Sequence, residues 1–240
     1  MSVLVIPDIH GRIFWKKAVE EHKDNVEKIV FIGDYLDPYP WECATDGITR
    51  KTAIENLQEI INFKSENRDK VILLLGNHDL PYIDKHNFFV RSRYDSSNAY
   101  HIEEIFRSHR SLFQLAHEET IGDKKYLFTH AGLQLGWYNK HKDLIGELTI
   151  DGINHLLDNP QGIKALCEAS RSRGGWDKCG SIVWNDVIDT HEGINNDMPW
   201  DYQVFGHSQQ EAHPIITEQF ACLDCRKAFM LNNEGGFQEC

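Results

Sequence analysis

Five short apolar runs in this chain each end in a polar turn bearing aspartate, asparagine or histidine. Val3-Leu4-Val5-Ile6 leads into Asp8-Ile9-His10, and Ile29-Val30-Phe31-Ile32 into Gly33-Asp34-Tyr35-Leu36-Asp37. Val71 through Leu75 leads into Gly76-Asn77-His78-Asp79. Tyr126-Leu127-Phe128 precedes Thr129-His130-Ala131-Gly132, and Gln203-Val204-Phe205 precedes Gly206-His207-Ser208. A short apolar run without polar alternation is the pattern of a strand buried on both faces. Between the first three runs the spacing is helical. Trp15, Ala18, Val19 and His22 share one face, as do Ile54, Leu57 and Ile61. Strand alternating with helix predicts an α/β fold with a largely parallel sheet. In such sheets the carboxyl ends of the strands form the ligand crevice, so the five polar turns are expected to meet on one edge.

The rest of the chain is less regular. Phe88 to Tyr94 is mixed in character. Ile102, Ile105, Phe106, His109, Leu112 and Phe113 predict one amphipathic helix, and Leu144 to Ser172 a weaker helical stretch broken at Asn159-Pro160. Ile182-Val183-Trp184 is read as a strand and residues 185–200 as a loop. Ile215-Ile216, Phe220 to Leu223 and Ala228 to Leu231 read as closely spaced strands, expected to pair antiparallel in a second sheet. No repeat or linker divides the sequence, so residues 1–240 are expected to form a single domain.

The residue types at the strand ends suit a metal. Carboxylate and imidazole are ligands for zinc, iron and manganese. Asp8 and His10 can point at one cation if the strand opens into a loop. Asp34 has two oxygens and can bridge two cations, while Asn77 adds a neutral oxygen and limits the gathered negative charge. The glycines of Gly33-Asp34, Gly76-Asn77 and Gly206-His207 permit tight or positive-φ turns close to a metal. Two cations roughly 3.5–4 Å apart clamp a phosphate and generate a hydroxide between them. Singly, Asp8, Asp34 and Asn77 read as ordinary turn residues. All five motifs in this order, each behind a buried strand, form a specific signature.

That signature resembles the calcineurin-like metallophosphoesterases, and within them the phosphoprotein phosphatases and symmetrical diadenosine tetraphosphate hydrolases. The resemblance rests on Asp8-x-His10, Gly33-Asp34-x-x-Asp37, Gly76-Asn77-His78-Asp79, His130-Ala131-Gly132 and Gly206-His207, with Gln209 where many phosphodiesterases of the superfamily have a second histidine. It implies a four-layer sandwich of two mixed β-sheets flanked by helices. It also implies two divalent metals, with manganese expected and iron or zinc as alternatives. Asp8, His10 and Asp34 would hold the first; the bridging Asp34 with Asn77, His130 and His207 would hold the second. His78 would protonate the leaving oxygen, oriented by Asp37. Asp79 is read as structural. Two family arginines have no counterpart: Pro38 follows Asp37, no Lys or Arg lies between Asp34 and Arg50, and none lies between Trp184 and His207. Arg50, Arg91, Arg93, Arg171, Arg173 and Arg226 are the candidates to replace them.

The function implied is a phosphomonoesterase of the serine/threonine phosphatase type that uses a metal-bound hydroxide on a small phosphate ester or a phosphoprotein. A dinucleoside polyphosphate hydrolase is the alternative, with Trp41 available to stack on a base. A binding protein without activity is disfavoured by the complete ligand set. The chain has 37 acidic and 25 basic residues, a formal net charge of −12, which argues against bulk nucleic-acid or anionic-membrane binding. No apolar run approaches a bilayer span, and Val3 to Ile6 lacks the basic leader of a signal peptide, so a cytoplasmic setting is expected. Six cysteines without a framework spacing fit that setting, with Cys222 and Cys225 read as half-buried strand thiols.

Overall fold

The computed structural model describes residues 1–84, 93–193 and 197–240. The Arg91 and His86 positions and most of Phe88–Tyr94 lie outside them. Strands β1 (Val3–Ile6), β2 (Lys28–Phe31), β3 (Val71–Leu74) and β4 (Phe113–Gln114) run parallel in one sheet, as the βαβ rhythm predicts. Helices α1 (Phe14–His22), α2 (Pro40–Thr45) and α3 (Arg50–Glu66) lie between the first three strands. After β3 come α4 (Leu80–Ile83) and α5 (Ala99–Ser108).

The second sheet holds β5 (Ala116–Ile121), β6 (Lys124–Thr129), β7 (Tyr202–Phe205), β8 (Ile215–Ile216) and β9 (Phe220–Cys222) in the order β5-β6-β7-β9-β8. Helices α6 (Leu135–Lys140), α7 (Lys142–Ile145), α8 (Ile150–Asn154), α9 (Pro160–Leu166) and α10 (Val187–Gly193) lie between β6 and β7 in sequence. Pro160 opens α9 and the Asn159 side chain caps it, accepting from Gly162 N, which is why the helical pattern breaks there.

Strand alternation sorts the core into layers. Val3, Val5, Val30, Ile32, Ile72 and Leu74 point inward to Tyr126, Phe128, Tyr202, Val204, Ala221 and Leu223, so the two sheets pack face to face. Leu4, Ile6, Ile29, Phe31 and Leu73 point outward to Trp15, Ala18, Leu57, Ile61 and Phe106. On the far side, Leu127 packs with Trp137, Ile153 and Leu166. The result is two mixed sheets flanked by helices.

Four expectations are corrected. The helix does not reach Phe113: it ends at Ser108, and Phe113-Gln114 joins the sheet because Leu75 N finds Gln114 O at 2.9 Å. Ile182–Trp184 is a turn, not a strand. Ser181 O accepts from both Trp184 N and Asn185 N, and the three apolar side chains are buried without strand pairing. Residues 187–193 form α10 inside the expected loop, started by Asp186, whose carboxylate accepts from Ile188 N at 3.0 Å. The C-terminal strands do not all enter the second sheet. β10 (Phe229–Leu231) pairs antiparallel with β1, and β11 (Phe237–Glu239) with β10, covering an edge of β1 that would otherwise offer unpaired backbone groups. In the second sheet β9 is parallel to β7, and β8 pairs antiparallel with β9.

The chain crosses from the first sheet to the second at Leu115. There the Asn154 side-chain oxygen accepts from Leu115 N at 2.8 Å and Ala116 N at 2.9 Å. Asn154→Ala leaves both buried N–H groups without their acceptor. We expect a loss of about 2–4 kcal/mol of unfolding free energy, read from the urea midpoint.

Candidate metal centre

The five polar turns meet at the carboxyl ends of β1, β2, β3, β6 and β7. Asp8, His10, Asp34, Asn77, His78 and His207 line one cavity of about 290 Å³ together with Tyr39, Arg93, Arg173 and Trp184. His130 is fully buried beside them, with Nε2 3.5 Å from Asp34 Oδ2.

Four of these turn residues hold backbones that L-amino acids rarely adopt. His10 (φ 44°), Asp34 (φ 51°), Asp37 (φ 59°) and His207 (φ 64°) are left-handed, as is Arg93 (φ 57°); Arg226 is the one other non-glycine case among the described residues. Such backbones cost on the order of 1–3 kcal/mol each and persist where the surroundings enforce them. Gly33 is left-handed too, at φ 111°. Gly76 and Gly206 are needed for room rather than for φ: a Cβ on either would collide with the Asp34 or the Asp8 carboxylate.

Asp34 is the centre of the arrangement. Its Oδ2 lies 3.5 Å from His10 Nε2 and 3.5 Å from His130 Nε2, while its Oδ1 accepts from His78 N at 2.8 Å. His10 Nδ1 sits 2.8 Å from Leu36 O, and His130 Nδ1 sits 3.0 Å from Ile32 O. Each carbonyl needs a proton on the nitrogen it meets, so the network assigns the bare lone pair to Nε2 of both rings. His130 Nε2 then faces Asn77 Oδ1 at 3.0 Å and His207 Nδ1 at 3.1 Å. The Asn77 oxygen and the bare His130 nitrogen thus face each other with no hydrogen between them. His207 Nε2 is buried with no hydrogen-bond partner among the described residues. The donor set therefore fits divalent cations, one shared carboxylate serving two clusters: Asp34 with His10, and Asp34 with His130 and His207. Asp8 accepts from His207 N at 3.0 Å, tying the first turn to the last.

His78 also lies within the first cluster, but both its nitrogens are engaged otherwise. Nδ1 meets Asp37 Oδ2 at 3.0 Å, and Nε2 meets Arg93 Nη2 at 3.1 Å. A guanidinium beside Nε2 is a poor neighbour for a cation. Asp37 Oδ1 in turn accepts from Tyr82 Oη at 2.6 Å, and Tyr82 Oη accepts from Asp95 N at 2.8 Å. Burial raises the Asp37 carboxyl above the usual range, opposed by the His78 and Tyr82 hydrogen bonds. Burial also drives the His10 and His207 imidazoles well below 6.5, which keeps them neutral and able to ligate at pH 7.

Asp79 makes no capping bond to α4. Its fully buried carboxylate accepts from Asp34 N at 2.8 Å, Tyr35 N at 3.0 Å and Gly76 N at 2.8 Å, joining the second polar turn to the third. Arg12 supports the first turn: buried, it donates to Asp8 O at 3.1 Å and Glu42 Oε1 at 2.9 Å. Both Cys222 and Cys225 are fully buried rather than half-buried, with thiols pushed up by burial, Cys225 to about 11. Cys222 Sγ lies 3.4 Å from Gly206 O and 3.4 Å from Ser208 O, behind His207.

Of the candidate arginines, Arg93 and Arg173 line the cavity. Arg50 pairs with Asp95 at 2.8 Å, Arg171 donates to Trp176 O at 3.3 Å, and Arg226 pairs with Glu42 at 3.2 Å. Gln209 does not line the cavity; turned toward Arg226, its side-chain oxygen accepts from Nη2 at 2.7 Å. Trp184 lines the wall, as its indole allows for a core or pocket-wall residue, while Tyr39 and Tyr82 carry no assignment from the sequence. Tyr39 and Tyr82 each fall a few residues after a motif that places them here, but nothing in an isolated tyrosine signals that.

The family model described as "Calcineurin-like phosphoesterase" matches residues 1–211. The chain belongs to that family. Metallophosphoesterases are hydrolases of phosphoester bonds that depend on divalent metal, which accords with the donor set. A curated relative, "Putative serine/threonine-protein phosphatase C06A1.3" of Caenorhabditis elegans, is 24% identical over 225 residues. That alignment covers 92% of this chain and 50% of the relative, so the chain spans about half of that protein's length. A serine/threonine phosphatase from Saccharomyces cerevisiae superposes with a TM-score of 0.53 at 14% identity, covering 96% of this chain and 72% of that one. Protein PH1004 of Pyrococcus horikoshii gives 0.50 at 10% identity, covering 100% and 86%. These likenesses show the shared fold. No helix among the described residues is long and apolar enough to cross a membrane.

Two outcomes follow from the geometry. Asp79→Ala leaves three buried N–H groups without an acceptor and should cost about 3–5 kcal/mol in urea denaturation. Protons compete with metal for neutral imidazole, and His10 and His207 take up protons only well below 6.5. Their affinity contribution is thus fully present above 6.5 and is lost only as the pH falls through the lowered values. Mn²⁺ affinity, measured by calorimetry, should fall by less than about tenfold between roughly pH 7 and 6. A steeper fall would show that these imidazoles are not depressed.

Proposed function

We propose that this protein is a phosphomonoesterase with a two-metal site. Asp34 carries the reading: one carboxylate oxygen stands 3.5 Å from an imidazole nitrogen on either side, the arrangement of a bridging ligand. Asp8, His10 and Asp34 would hold the first cation, and Asp34, Asn77, His130 and His207 the second. Manganese is the expected metal, with iron or zinc as alternatives of the same ligand class. Bound cations supply Lewis acidity toward the phosphoryl oxygens and lower the pKa of water.

The chain's own residues supply the rest. His78 presents Nε2 to the cavity with Nδ1 fixed on Asp37, so a proton on Nε2 is aimed at the leaving oxygen of a bound ester. Asp37 stabilises the charged imidazole before transfer, and Tyr82 holds the Asp37 carboxylate in place. Arg173 lines the wall beside His207, donating to His207 O at 3.2 Å and Ser208 Oγ at 2.7 Å. The relative named for serine/threonine phosphatase activity supports a phosphoserine or phosphothreonine substrate. A dinucleoside polyphosphate hydrolase is a second reading. It is favoured by Trp41, which is 53% exposed and stacks on cavity-lining Tyr39 with centroids 4.5 Å apart, offering a surface for a base.

The test is hydrolysis of p-nitrophenyl phosphate and bis-p-nitrophenyl phosphate, with and without Mn²⁺, by wild type and His78→Ala. We expect metal-dependent cleavage of the monoester, reduced about 10²–10⁴-fold in the variant. Absence of monoester cleavage by the metal-loaded wild type would overturn the reading.

A further inference from the structure

In this chain Pro38 follows Asp37, and no lysine or arginine occurs between Asp34 and Arg50, so the Gly-Asp turn brings no cation of its own to the cavity. Tyr39 stands in that turn instead. It lines the cavity, with the edge-on His10 ring 5.0 Å away. Arg93, remote in sequence, lays its guanidinium carbon 3.6 Å from the centroid of the Tyr39 ring. That is a close cation–π contact, and it fixes a long flexible side chain by its flat face. The same guanidinium reaches His78 Nε2 with Nη2 at 3.1 Å. Its Nε is buried with no hydrogen-bond partner among the described residues. The Arg93 backbone is left-handed, a conformation it shares with His10, Asp34, Asp37 and His207.

Arg173 is a contrast. Its guanidinium is tied to Asp186 at 2.6 Å as well as to His207 O and Ser208 Oγ, so its charge is largely answered within the protein. Among the described residues Arg93 makes no ion pair with a carboxylate, and its Nη2 lies 3.1 Å from His78 Nε2.

We infer that Arg93, held face-on by Tyr39, binds an oxygen of the phosphomonoester dianion next to His78, with Tyr39 as its positioning residue. This rests on the phosphomonoesterase reading above. Two nitrogens 3.1 Å apart can both donate to one oxygen lying between them and toward the cavity. The clamp is thus assembled from a tyrosine in one turn and an arginine from a distant segment.

The experiment uses the Mn-loaded full chain and the variants Arg93→Ala, Arg93→Lys, Tyr39→Leu and Tyr39→Phe. Inorganic phosphate binding is measured by calorimetry, and kcat and KM on p-nitrophenyl phosphate. Metal content and urea midpoint are recorded for each variant. A charge-assisted hydrogen bond contributes enough for a loss of about 10–100-fold in affinity. We expect Arg93→Ala and Tyr39→Leu to weaken phosphate binding by about that factor and to raise KM, with metal content retained. Tyr39→Phe keeps the ring and should recover most of what Tyr39→Leu loses, whereas Arg93→Lys should recover little. Wild-type phosphate affinity in Arg93→Ala would overturn the assignment of Arg93, and equal losses in Tyr39→Phe and Tyr39→Leu would overturn the stacking role of Tyr39. If wild type itself neither binds phosphate nor cleaves the ester, the phosphomonoesterase reading fails first and the clamp falls with it.

Discussion

The constraint on which the rest of the structure depends is electrostatic: bare lone pairs converge on Asp34. His10 and His130 each give their Nδ1 proton to a backbone carbonyl, of Leu36 and Ile32 respectively, and turn Nε2 toward the same carboxylate oxygen. Asn77 Oδ1 adds another acceptor beside His130 Nε2, and His207 Nδ1 stands 3.1 Å from the same nitrogen. Groups of like polarity at 3.0 to 3.5 Å repel unless positive charge lies among them. The fold holds them there through its own contacts. It does so with two buried connectors. The Asp79 carboxylate joins the second turn to the third through three backbone N–H groups, and Arg12 and Asp8 fix the first turn to the last.

That rigidity explains why strain concentrates here. Left-handed backbones at His10, Asp34, Asp37 and His207 are unfavourable locally and are tolerated because strands buried on both faces lead into each turn. The apolar layer between the sheets keeps β1, β2 and β7 in register, so their carboxyl ends arrive at the same level. A turn that relaxed toward ordinary φ would swing its side chain off the shared centre. Stability and chemistry are thus coupled at the same few residues: the Asp79 carboxylate serves the loops and the ligand geometry together.

The His78 side of the cavity has a different logic. His78, Asp37 and Tyr82 form a chain of hydrogen bonds running away from Asp34 and its imidazoles, and it continues through the backbone of Asp95, whose side chain pairs with Arg50. Arg93 closes the opposite end of His78. One imidazole therefore stands between a buried carboxylate and a guanidinium at the cavity, which gives its two nitrogens distinct environments and hence distinct tasks.

The sequence by itself determined the βαβ start, the strand ends and the set of residues that meet there, because period, burial and turn chemistry are local properties. Asp8, His10, Asp34, Asn77, His130 and His207 were all legible as residues behind apolar runs, whereas the pairing of His78 with Asp37 came only from the resemblance. Only the tertiary structure decided which arginines reach the cavity. Arg93 and Arg173 arrive from segments whose local pattern says nothing about where a long side chain ends, while Arg50, Arg171 and Arg226 turn to other partners. The same holds for the C-terminal strands. Their β character is local, but β10 pairs with β1 because that edge is open, a fact set by the other end of the chain. Trp184 follows the same rule: its apolar neighbours suggest a strand, yet Ser181 closes a turn and brings the indole edge-on to His207 at 5.7 Å. Residue type and period are written along the chain, whereas partners depend on what long-range packing leaves unpaired.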